Sequence, residues 1–149
     1  MPAKSSQSLT DQLVAFIDTF HAMWNTHDIP GVLECFTEEA VVTIVCPQQQ
    51  TSVVYQGKVQ IHDFVAQAIA GCVIHSRSHH VVDNRVIWMA RMRSDALREL
   101  GIEWVRNQNE AVVQDGKISA FTVTVTPETV AQLEAAASLS EEQLGKLGA

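Results

Sequence analysis

The chain has 149 residues, enough for one domain with a real core, since a chain of this size buries roughly 70% of its unfolded surface on folding. Ten Lys and Arg against seventeen Asp and Glu leave a net charge of -7, which argues against nucleic acid and membrane as partners because both need a cationic surface. No run approaches the ~18 apolar residues of a membrane span, and the start, Met1 to Ser8, has no apolar stretch of the secretory kind. Cys35, Cys46 and Cys72 are odd in number and set in apolar surroundings, the pattern of buried thiols rather than a disulfide framework. These features predict a cytoplasmic protein.

Residues 1–8 are polar and are expected to form a flexible N-terminus. From Leu9 to Trp24, Leu13, Phe16, Ile17 and Phe20 recur at steps of three and four, marking one helical face. Asn25 to Asp28 break the pattern, and Asp28 can cap a second short helix that tolerates Pro30 and Gly31 in its first turn and ends near Thr37. Val41 to Cys46 and Ser52 to Tyr55 read as a hairpin, and a third helix follows from about Val59 to Gly71. Then come strands near Ser76 to Val82, Arg85 to Arg93, Glu103 to Val113 and Lys117 to Thr126, with turns at Asp83-Asn84 and Asp115-Gly116. Between the second and third of these, Ser94 to Ile102 carries helix signals: Ser94 as cap, Leu97 and Leu100 as an apolar pair, Gly101 as stop. One or two helical turns are expected there, at a pocket mouth or against a partner chain. Thr126 and Pro127 open a terminal helix, and residues 138–149 are expected to be a helical tail. Helices segregated from a mostly antiparallel sheet define a single α+β domain over residues 9–137.

The segments Phe20 to Asp28, Leu33 to Val42, Tyr55-Gln56-Gly57-Lys58 and Gln114 to Ile118, in that order and spacing, resemble the nuclear transport factor 2-like superfamily, and its SnoaL-like branch in particular. The resemblance covers roughly residues 9–130. It implies a cystatin-like, cone-shaped half-barrel: a curved sheet wrapped around N-terminal helices, a small-molecule pocket between them, and usually a homodimer. No cofactor is expected, and the resemblance does not choose a reaction, because such folds serve isomerases, cyclases, epoxide hydrolases and binders alike. Epoxide hydrolase-like members use an Asp-Arg-Asp set with a Tyr and an Asn. Here the arginine falls on Arg91, but the other four positions fall on Arg93, Val123, Val42 and Ile44. Where ketosteroid isomerase-like members carry a carboxylate base, this chain has Ile44, Val45 or Cys46, none of which takes a proton from carbon as a carboxylate does. The last strand, where SnoaL-like cyclases are thought to place an acid, reads Ser119 to Thr126 with no ionisable group.

Which strand face looks inward decides the pocket, because a slip of one residue exchanges the faces. A three-residue loop, Gln114 to Gly116, would pair Val123 with Asn107 and Phe121 with Asn109, and gather Val105, Ala111, Phe121, Val123 and Val125 on one face. On Arg85 to Arg93, the resemblance turns Arg91 inward together with Met89 and Arg93, while simple patterning buries Trp88, Ala90 and Met92 instead. With Arg91 inward, the ligand-binding set becomes Phe20, Tyr55, Met89, Arg91, Asn107, Phe121 and Val123, joined by Arg93, Asn109 and His79 on adjacent strands. Such a set suits a largely apolar molecule with a polar or anionic end. Trp88, Met92 and Trp104 would then form an apolar convex face through which a homodimer could assemble. A metal is not expected, because His75 and His79 would stand ~13 Å apart along a strand and His80 would point the other way. His21, His27 and His62 read as surface or turn residues.

Overall fold

The computed structural model describes residues 2–47 and 50–136, with side chains from Leu9 onward except that of Ser78. Helix α1, Pro2–Asn25, begins at Pro2 rather than Leu9, as suits the good helix formers Ala3, Lys4 and Gln7 behind a proline in the first turn. It buries Leu13, Ile17, Phe20, His21 and Trp24 along one face. Helix α2, Ile29–Glu34, is capped by Asp28, whose carboxylate accepts from the Gly31 N–H at 3.0 Å. Strands β1 (Phe36–Cys46) and β2 (Thr51–Gln56) pair antiparallel, and α3 follows over Gly57–Ala68. Strands β3 (Val73–Val82), β4 (Arg85–Arg93), β5 (Val105–Gln114) and β6 (Lys117–Val125) complete one six-stranded sheet in the order β2-β1-β6-β5-β4-β3. All neighbours are antiparallel except β1 and β6, which run parallel. The sheet curves without closing and the helices pack on its inner face, so the α+β half-barrel expected from the sequence is the fold.

Short helix α4, Asp95–Glu99, occupies the β4–β5 connection, with Ser94 Oγ accepting from Leu97 N at 3.3 Å and Gly101 in the left-handed region at φ 79°. Residues 127–136 form helix α5. The side chain of Thr126 caps it by accepting from Thr129 N, and both threonine hydroxyls donate to the Arg106 carbonyl at 2.8 and 2.9 Å. These bonds fasten α5 to β5 where the strand has no β6 residue left to pair with. At the β3 edge of the sheet, Asn25 at the end of α1 exchanges two hydrogen bonds with the backbone of Ile74, at 2.7 and 2.9 Å, satisfying groups that an edge strand would otherwise leave open. The tail expected over 138–149 lies outside the described residues. Among the described residues no helix is long and apolar enough to cross a membrane.

Two registers differ from expectation. Asp115 and Gly116, both at positive φ, form a two-residue turn between paired Gln114 and Lys117. A bulge at Ser119 then shifts β6, so that Asn107 faces Val125, Asn109 faces Val123 and Ala111 faces Phe121. The extra residue sits in the strand rather than in the turn, and the pairing moves by two positions, which preserves the faces. Strand β4 takes the opposite parity to the one the resemblance suggested. Val86, Trp88 and Ala90 are buried, Met92 packs against the core, and Met89, Arg91 and Arg93 stand on the outer face. The reason is size: the inner face meets α1, and a bulky indole fills that space where a guanidinium would lose its water. With Trp88 and Met92 inside, the convex apolar face imagined from Trp88, Met92 and Trp104 does not form.

Trp88 is 1% exposed and Met89 38% exposed, so the two substitutions separate the parities. Trp88→Ala is expected to cost about 3–5 kcal/mol in urea unfolding, and Met89→Ala about 0.5 kcal/mol or less. Equal costs would refute this strand orientation.

Candidate functional site

The curvature of the sheet leaves a cavity of about 270 Å3 between its inner face and the helices. Its floor is aromatic. Phe20 of α1 lies 5.8 Å from Phe36 and 5.7 Å from Phe121, ring centre to ring centre, and Trp24 one turn on extends the wall. Phe64 of α3 and Ile44 of β1 close one side, and Ala90 and Met92 of β4 the other. Leu97 of α4 and Leu133 of α5 also line it, so the short helix expected over Ser94 to Ile102 borders the cavity.

Among the described residues the polar side chains of the lining are Asn107, Asn109 and Thr129, and the Thr129 hydroxyl is already committed to the Arg106 carbonyl. Asn107 and Asn109 alternate with outward residues on β5 and so both point into the cavity. Their Oδ1 atoms are buried without a hydrogen-bond partner, and Asn109 is 5% exposed. A buried acceptor left unpaired costs roughly 1–3 kcal/mol, a cost that rotation of either amide toward a water or ligand group in the cavity would remove. Among the described residues lining the cavity, none carries an ionisable side chain.

Of the residues singled out from the sequence, Phe20, Asn107, Asn109, Phe121 and Val123 come together in this cavity. Tyr55 does not line it but backs it, its ring 4.8 Å from that of Phe64. Met89, Arg91 and Arg93 lie on the far side of the sheet, where the guanidinium carbons of Arg91 and Arg93 sit 4.4 and 5.1 Å from the Trp104 ring centre. His79 is inside but away from the cavity. A bulge between Arg77 and His80 turns it toward Trp88, with ring centres 6.0 Å apart, while His75 stays outside against Trp104. The expectation that His75 and His79 share a face fails because a bulge adds one residue and reverses the alternation. Among the described residues no group of three or more His, Cys, Asp and Glu converges as a metal site would. Trp24, Phe64 and Leu133 also line the cavity but were not legible as site residues, since apolar periodicity marks a residue as inward without saying whether it meets core or cavity.

His21, read from the sequence as a surface residue, is 5% exposed. Its ring packs edge-on to Trp88 at 5.3 Å and both ring nitrogens lack partners. Burial, and secondarily the neighbouring His79, lowers its pKa from 6.5 to about 4. Burial likewise pushes the Cys35 thiol up to about 11 and that of Cys72 upward. Both are therefore poor nucleophiles at neutral pH.

The SnoaL-like domain model matches residues 17–121, and the chain belongs to that family, a branch of the nuclear transport factor 2-like superfamily. Solved structures agree on the fold. The epoxide hydrolase/cyclase-like enzyme SalBIII, described for pyran ring formation in salinomycin, superposes with a TM-score of 0.70 at 13% identity, covering 80% of this chain and 95% of its own. A putative polyketide cyclase from Sinorhizobium meliloti gives 0.60 at 17%, covering 73% and 93%. A nuclear transport factor 2-like protein from Cytophaga hutchinsonii gives 0.61 at 12%, covering 79% and 93%. At these identities the likeness is one of fold. No curated protein matches the sequence.

The buried histidine has a pH signature. With its folded pKa lowered, His21 stays neutral in the fold while the unfolded chain takes up a proton, so stability is complete above pH 6.5 and falls as pH drops toward 4. Between pH 7 and pH 5 this amounts to about 2 kcal/mol. Urea unfolding of wild type and His21→Leu at both pH values checks it: the variant should lose about that much of the pH dependence. Parallel behaviour of the two proteins would show that His21 does not carry it.

Proposed function

We propose that this chain is a pocket protein that binds a small, largely apolar molecule whose polar end is held by Asn107 and Asn109. The observation that carries this reading is the pair of buried, unpartnered amide oxygens in an otherwise apolar cavity. Phe20, Phe121 and Val123 supply the apolar contact. An apolar cavity of roughly 150 Å3 accepts benzene, so a volume of about 270 Å3 suits a mono- or bicyclic molecule. The polar end is neutral rather than anionic, because the arginines lie on the other side of the sheet and an asparagine offers both donor and acceptor without charge.

Binding is favoured over acid–base catalysis because the cavity wall described above carries no ionisable side chain. A panel of epoxides and Δ5-ketosteroids is accordingly expected to show no turnover. Measured turnover that is lost in Asn109→Leu would place an enzyme in this pocket instead.

The direct test is titration with 2-naphthol and naphthalene, followed through the side-chain amide signals of Asn107 and Asn109, together with native mass spectrometry of protein purified from its own host. Saturable shifts with 2-naphthol are expected, weakened about tenfold in Asn109→Leu, as the loss of one hydrogen bond implies. Naphthalene should be little affected by that change. A protein that binds neither compound and brings no small molecule from its host would refute the reading.

A further inference from the structure

The outer face of the sheet carries a second feature, independent of the cavity. Arg91 on β4 is the direct cross-strand partner of both His75 on β3 and Arg106 on β5, so these three side chains form a row across adjacent strands. Arg93 and Arg77 stand two residues along on the same outer face, from Arg91 and His75 respectively. Four of the chain's ten basic residues thus gather on one patch of a protein with net charge -7. All four are arginines. Among the described residues the ion pairs within 4.0 Å include Arg85 with Glu110, but none involves Arg77, Arg91, Arg93 or Arg106.

Like charges placed opposite one another across strands are destabilising, and among the described residues no carboxylate stands within 4.0 Å of these. What holds two of them is Trp104, half-buried, with the Arg91 and Arg93 guanidinium groups 4.4 and 5.1 Å from its ring centre. An indole attracts a cation and fixes the plane of a guanidinium resting on it, leaving the N–H fork free for an oxyanion. Arg91, Trp104 and Arg106 also line a surface depression whose remaining walls are Glu128 and Gln132 of α5.

We propose that this depression is a binding site for a small molecule bearing a phosphate-type dianion, held by Arg91 and Arg106 with Arg93 beside them. Neighbouring strands lie ~4.8 Å apart, which lets two guanidinium groups converge on one phosphate. Size follows from electrostatics. A small anion in the depression interacts with charges within a Debye length, about 8–10 Å, where arginine dominates, whereas an extended polyanion such as a membrane or nucleic acid meets the net negative charge of the whole protein. Glu128 limits affinity, since its carboxylate on the wall of the depression repels any anion bound there.

Titration with inorganic pyrophosphate at constant ionic strength, read by tryptophan fluorescence, tests the proposal on the full chain. Trp104 is the half-buried tryptophan, while Trp24 and Trp88 are buried. Saturable binding is expected, at least tenfold weaker in Arg91→Gln and in Arg106→Gln, unchanged in Arg98→Gln, and a few-fold tighter in Glu128→Gln. Melting temperatures of the variants confirm that each is folded. A response that chloride reproduces at the same ionic strength, or one that survives both arginine changes, overturns the site. A heptaglutamate peptide that binds more tightly than pyrophosphate also overturns it, by making the occupant an acidic protein segment.

Discussion

The contact between Phe20 and Phe121, ring centres 5.7 Å apart, joins the first helix to the last strand, and the rest of the molecule is arranged around it. Phe20 also meets Phe36, Trp24 and His21, and Phe121 meets Trp88 at 5.8 Å. Each such aromatic pair adds roughly 0.5–1.5 kcal/mol beyond the area it buries. Because the partners come from α1, β1, β4 and β6, the cluster forms only when the sheet has curved far enough to bring its strands to one helix. On one side it is solid core, through Trp88 and His21; on the other it is the floor of the cavity.

That division sets the chemistry of the pocket. Bulky rings make the floor apolar, and among the described lining residues the two asparagines of β5 and Thr129 carry the polar side chains. In a dry cavity an amide is costly when unpaired and selective when paired, since a ligand lacking the matching group forfeits the full desolvation cost. Another part of the wall is built differently. Leu97 and Leu133 belong to helices placed by side-chain caps and threonine hydroxyls bonded to the β5 backbone, so it depends on short elements rather than on the aromatic core.

The two faces of the sheet are given opposite chemistry by one parity. Placing Trp88 inward necessarily places Arg91 outward, because successive side chains of a strand point to opposite faces. The inner face is thereby apolar with neutral amides, and the outer face is cationic and organised by Trp104. A chain acidic overall can carry a basic patch in this way, since the alternation along β4 and β5 sorts residues by face and not by position in the sequence.

By itself the sequence determined the element types and their order, because helical spacing on α1, β-branched runs and turn residues are local signals. The Ser94 cap with Gly101 as stop was enough to locate α4, and Asp28 to locate α2. The inward set on β5 and β6 was likewise legible, since Asn107, Asn109, Phe121 and Val123 alternate cleanly. Only the tertiary structure decided what depends on contact between distant segments. The β4 strand alternates two plausible faces, and only α1 packing on the sheet selects Trp88 over Arg91. The bulges at Ser119 and between Arg77 and His80 add residues that leave no local mark, yet they fix the β6 register and turn His79 inward. His21 is buried for the same reason: a histidine on a helix has no preferred side until a tryptophan from a strand more than sixty residues later closes over it.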